Sequence, residues 1–184
     1  MTVRRQGGPA LRAGLIPAVM VAAALPGLPA ALACGPQAEL HFTEAWPDTF
    51  EILNRSPPGW QIEVVRIDLE GSVGNLFFEP SDAGPGAGLS DPPGPARLVG
   101  VSAVRDGDTS VTLLFERFAA GTGFIVTIDV DGRDGEVVHS VVAPGAIAGA
   151  GVDVRFAAGA DRVEARGRFD AGDTALTVDE SACG

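Results

Sequence analysis

The chain has 184 residues, of which 13 are basic and 24 acidic, for a formal net charge of −11 at pH 7. Such a charge argues against nucleic acid and anionic membrane surfaces as partners, since both require a positive field; it suits a soluble exported protein, and it suits cation binding. With two cysteines, two histidines and no tyrosine, few side chains are available for nucleophilic or acid–base catalysis, and no nucleophile-elbow or phosphate-cradling motif is present.

The first predicted element is a targeting segment. Arg4, Arg5 and Arg12 precede an apolar run from Ala13 to Leu28, and Ala31-Leu32-Ala33 stands directly before Cys34. This is the layout of a secretory signal peptide over 1–33 with a small-x-small cleavage site. The run is broken by Pro17 and Pro26 and is shorter than the roughly 20 apolar residues of a membrane span, so no transmembrane segment is expected. Cleavage leaves one domain, 34–184, in which ten arginines face 24 acids. Every basic residue is arginine, which reads with the Gly, Ala and Pro content as the codon bias of a GC-rich bacterium. The expected location is the periplasm, the medium or the cell surface.

Cys34 has two readings. In one it pairs with Cys183, as an oxidising compartment permits, and the closed loop restricts the unfolded chain by about 4–5 kcal/mol. In the other it is the lipidated first residue of a lipoprotein. The lipoprotein signal has Leu three places before Cys and a small residue two before, where this chain has Ala31 and Leu32. The disulfide is the preferred reading.

Beyond residue 36 the pattern is β. Leu40 and Phe42 alternate with Glu39, His41 and Thr43, and Phe50 and Ile52 with Thr49 and Glu51. Trp60, Ile62 and Val64 share one face, then Val65, Ile67 and Leu69, so a bulge is expected near Val64-Val65. Further alternations run through Val111, Leu113 and Phe115, through Phe124, Val126, Ile128 and Val130, and through Val163, Ala165, Gly167 and Phe169. Period-two alternation marks strands with one wet face. Turn signals fall between them, at Ser56-Pro57-Pro58-Gly59, Asp106-Gly107-Asp108, Gly132-Arg133-Asp134-Gly135 and Ala171-Gly172-Asp173. Residues 80–96 form one long Pro/Gly-rich loop, of a length that is either mobile or functional. No helical periodicity appears. The expected fold is all-β: a single antiparallel β-sandwich, Greek-key or jelly-roll-like.

The histidines, His41 and His139, read as ordinary strand residues. The acids are more informative. If the strands alternate up and down, Glu44 and Asp48, Asp68 and Glu70, Asp106 and Asp108, and Asp129, Asp131 and Asp134 all fall at one end. Carboxylates gathered there repel unless neutralised, and Ca²⁺, with about 6–8 oxygen ligands, is the natural neutraliser. Asp129 and Asp131 share a strand face and are the preferred ligands, then Asp68, with Asp106 or Asp108 as helpers. The competing reading of Asp129 to Glu136 is a polar hairpin turn whose Asp and Gly serve the backbone.

Several segments together resemble the short exported bacterial proteins called aggregation factor core proteins: Ile67-Asp68-Leu69, Gly74-Asn75-Leu76-Phe77-Phe78, Asp106-Gly107-Asp108, Phe124 through Asp131 and Ala146-Ile147-Ala148-Gly149-Ala150. The resemblance covers most of the chain after residue 33. The family has further acids after the Phe-Phe pair and after Asp-Val-Asp; here Glu79 keeps the charge and Gly132 does not. The resemblance implies an exported β-domain tied to calcium-dependent aggregation or adhesion, with a cell-surface glycan or protein as partner. The expected function is therefore a non-enzymatic surface or periplasmic binding module. The alternatives are a structural envelope protein without ligand and a glycan-active enzyme, which needs two carboxylates facing across a cleft, roughly 5–9.5 Å apart.

Overall fold

A computed structural model describes residues 35–45, 47–80, 96–133, 142 and 145–180. The chain divides into Met1–Leu32 and Ala33–Gly184, and all described residues belong to the second unit. The expected signal peptide, Cys34, Cys183, His139, Asp134 and most of the 80–96 loop lie outside them.

The described residues form eleven strands and no helix. In chain order these are β1 Gln37–Thr43, β2 Thr49–Asn54, β3 Gln61–Asp68, β4 Leu76–Phe78, β5 Arg97–Val101, β6 Ser110–Arg117, β7 Gly123–Thr127, β8 Val130–Gly132, β9 Gly151–Ala158, β10 Asp161–Arg168 and β11 Ala175–Asp179. One sheet has the order β11-β1-β2-β7, a second β10-β9-β3-β6-β5, and a third consists of β4 and β8. Every pairing is antiparallel. β2 pairs with β7 in one sheet and β3 with β6 in the other, so the chain passes between the two larger sheets four times, after β2, after β6, after β7 by way of β8, and after β10.

Alternation explains the layering. Leu40, Ile52, Phe124 and Val178 of the first sheet are buried, as are Ile67, Leu113, Val154 and Phe156 of the second. They join one hydrophobic core. Phe115 of β6 meets Phe124 of β7 edge-on, with ring centroids 5.1 Å apart, so the two sheets touch through aromatic rings. Gly167 of β10 has a packing reason: a Cβ there would lie 3.0 Å from both Leu176 and Val178. The bulge in β3 falls at Glu63, one residue earlier than the alternation predicts, where the register slips between Ile62 and Val64. The slip turns Val65, Ile67 and Leu69 into the core and leaves Val64 half-buried.

Antiparallel running order brings four connections to one end. Thr43 and Thr49 are register partners, Thr49 also faces Thr127, and Asp68 faces Ser110. The loops beyond these residues are stitched by backbone hydrogen bonds: Ile128 N–H to Asp48 O, Leu69 N–H to Thr109 O and Phe78 N–H to Asp108 O. The acid-bearing loops therefore share one end, although the strands do not alternate strictly up and down in chain order: β1 and β11, and β3 and β9, are antiparallel.

Candidate functional site

The site is built on the smallest sheet. Leu76, Phe77 and Phe78 of β4 face Gly132, Asp131 and Val130 of β8, and the Glu79 N–H donates to Asp129 O at 2.9 Å, extending the ladder by one step. Leu76, Phe78 and Val130 are buried. Strand alternation then forces Glu79, Asp129 and Asp131 onto the opposite face. One carboxylate oxygen from each lies within 4.8 Å of the others, and all three residues are half-buried. Arg133 follows on the same face, its guanidinium 5.4 Å from the centroid of the Phe77 ring and donating to Gly107 O at 3.1 Å.

Asp48 holds this sheet from behind. It is only 3 % exposed, and its carboxylate accepts from Ala45 N–H and Val130 N–H, each at 3.0 Å. Val130 lies between Asp129 and Asp131, so Asp48 fixes the backbone on which both are carried. Burial pushes the Asp48 carboxyl up to about 6; the two N–H donors pull the other way, and the charges of Asp129 and Glu44 push in the same direction as burial.

The five residues expected from the sequence separate. Asp129 and Asp131 are brought together, and Glu79 joins them. Asp68 is placed elsewhere. Ile67 and Leu69 point into the core, so Asp68 faces outward, where Oδ2 pairs with Arg66 at 2.7 Å and Oδ1 accepts from Glu70 N–H at 3.0 Å. Asp108 turns back on its own turn, Oδ2 accepting from Arg105 N–H at 2.8 Å. Asp106 stands exposed at the tip of that turn. Neither belongs to the three-carboxylate group. Among the described residues that group is the one set of His, Cys, Asp or Glu placed to share a metal ion. His41 sits in a surface ladder, its Nε2 2.8 Å from Glu39 Oε1, while Arg55 Nε is 2.7 Å from Oε2. Hydrogen bonds from Arg55 and His41 hold the Glu39 carboxyl below its usual range.

Glu79 was readable in principle. Once Phe78 is assigned to the core, its neighbour must face out, but the pairing of β4 with β8 that sets it against Asp129 has no local signal. Compared with known proteins, the chain matches no family model, no curated protein and no solved structure. Among the described residues no helix is long and apolar enough to cross a membrane.

Proposed function

We propose that this is an exported, non-enzymatic binding module of the cell surface or periplasm, acting in adhesion or aggregation, with a divalent cation at Glu79, Asp129 and Asp131. The observation that carries the reading is the convergence of three half-buried carboxylates within 4.8 Å. Like charges so close repel, and a cation held between them turns that repulsion into attraction. An all-oxygen, carboxylate-rich donor set favours Ca²⁺, with backbone carbonyls and water completing its shell. Export is read from the Arg-flanked apolar run before Cys34, and adhesion from the resemblance to aggregation factor core proteins.

The test is thermal melting with EDTA and with added Ca²⁺, beside calorimetric titration. A ligand that binds only the folded state stabilises it by about 2.7 kcal/mol at a hundredfold excess over Kd, so Ca²⁺ is expected to raise the midpoint by several degrees. Asp129→Asn combined with Asp131→Asn abolishes the rise. An unchanged midpoint and no heat of binding would remove the cation and leave an envelope protein whose acids serve solubility.

A further inference from the structure

Five of the ten arginines after residue 33 lie on β3, β9 and β10. They stand on the outer face of the five-stranded sheet in cross-strand rows. One row is Arg66, Asp153 and Arg166; the next is Asp68, Gly151 and Arg168. The first row is closed by ion pairs, with Arg166 Nε 2.9 Å and Arg66 Nη1 3.7 Å from the Asp153 carboxylate. The second is open. Glycine at its centre leaves Asp68 and Arg168 two strand spacings apart, roughly 10 Å between backbones. Arg168 donates to Gly149 O at 2.9 Å and has no carboxylate partner among the described residues.

The opening is a cleft of about 710 Å³ lined by Arg66, Asp68, Glu70, Asp153, Arg166 and Arg168 over the glycine floor. It continues along the sheet into a depression of about 230 Å³ that shares Arg66, Asp153 and Arg166. The larger volume is in the range of small-ligand sites. The lining has no aromatic side chain, so a lipid tail or an apolar peptide anchor finds nothing to pack on. Three carboxylates and the net charge of the chain repel a nucleic acid. An uncharged sugar would leave Arg168 without a countercharge.

We propose that this cleft binds an acidic saccharide, its carboxylate on Arg168 and its ring hydroxyls on Asp68 and Asp153. A guanidinium and a carboxylate match in fork geometry, and ionised carboxylates accept from hydroxyls at short range. Asp68 and Asp153 are both ion-paired to arginine, which holds their carboxylates in place as acceptors for the hydroxyls. The proposal rests on the reading of the chain as a binding module and not on the cation.

Titration calorimetry with galactose oligomers that carry a single galacturonate residue, in EDTA, tests it. The uronate oligomers bind, uncharged galactose oligomers bind at least tenfold more weakly, and Arg168→Gln removes most of that difference. Gly151→Val fills the floor and abolishes binding. A Cβ at Gly151 meets nothing closer than 4.0 Å, so the variant keeps its fold, which a cooperative melt like the parent's verifies beside the titration. Equal affinity for charged and neutral oligomers, equal affinity for sulfate alone, release of new reducing ends, or undiminished binding by Gly151→Val overturns the proposal. Because EDTA is present throughout, failure here is distinct from failure of the cation reading.

Discussion

β2 carries a buried polar residue at each end, and the two are handled differently. Asn54, at its last position, is fully buried. Its Nδ2 donates to Phe118 O at 2.7 Å and its Oδ1 accepts from Ser56 N–H at 3.1 Å. Asp48, just before its first position, accepts from two N–H groups but brings a charge into the interior beside Asp129. One end is neutral and satisfied; the other is satisfied in hydrogen bonds and strained in charge. A buried amide stitches a loop at little cost, whereas a buried carboxylate among other carboxylates costs stability that only a cation or a proton returns. The contrast separates a neutral, closed end of β2 from an end whose carboxylates the proposed cation would neutralise.

The contrast can be broken most severely through glycine. Gly149 and Gly121 both hold positive φ, 88° and 77°, one at each end. A Cβ at Gly121 meets nothing within 4 Å, while at Gly149 it runs into the Gly71 carbonyl. That collision parts the two turns joined by Val73 N–H to Ala148 O and Gly74 N–H to Ala146 O. Gly121→Ala is expected to cost about 1–2 kcal/mol for the left-handed backbone alone. Gly149→Ala is expected to cost about 3 kcal/mol or more, as backbone clash adds to it. Urea denaturation of the pair measures the difference, and equal losses would show that the acidic end tolerates movement.

Next in size is the pH dependence of the two buried residues. Asn54→Ala leaves a carbonyl and an N–H unsatisfied, costing about 2–3 kcal/mol at every pH. Asp48→Ala also strands two N–H groups, but its penalty changes with pH. The Asp48 carboxyl rises from 3.8 to about 6 on folding, so between those values the folded state holds more protons than the unfolded. The stabilisation from protonated Asp48 is present in full below pH 3.8 and is lost as pH climbs through 6, a swing on the order of 3 kcal/mol. The Asp48→Ala penalty should therefore be largest near pH 4 and smallest near pH 7. A flat profile would show that Asp48 ionises in the folded protein as it does in water.

Much of this end was legible in the sequence, and the reasons for the rest are physical. Alternation in Leu40–Phe42, Val111–Phe115 and Phe124–Val130 located strands, because a half-buried strand must write its burial with period two. Counting their directions brought Asp48, Asp129 and Asp131 together, because antiparallel order fixes which loops meet. Asp68 was misassigned to the group: its partner Arg66 lies two residues back on the same face, and a local ion pair competes with any shared site. Glu79 was missed because β4 and β8 are three residues each, too short to show a period. The burial of Asp48 was hidden because a loop residue's depth depends on what packs over it. The arginine cleft was hidden for the same reason that rows on a sheet always are. Asp68, Gly151 and Arg168 are adjacent only through register.

The smallest expected effect is the most direct test of the strained end. Asp129→Asn removes one negative charge beside Asp48 and one from the carboxylate group, while leaving the backbone hydrogen bonds of β8 in place. Without Ca²⁺ this should raise stability slightly, by up to about 1 kcal/mol, because like charges are parted at a half-buried site. It should also lower the Asp48 midpoint, but only by a fraction, since burial rather than Asp129 is the main cause of its rise. Carboxyl ¹³C titration by NMR reads that midpoint residue by residue. A fall all the way to 3.8 would mean that neighbouring charge, not burial, sets the strain, and the neutral and acidic ends of β2 would then differ in their surroundings alone.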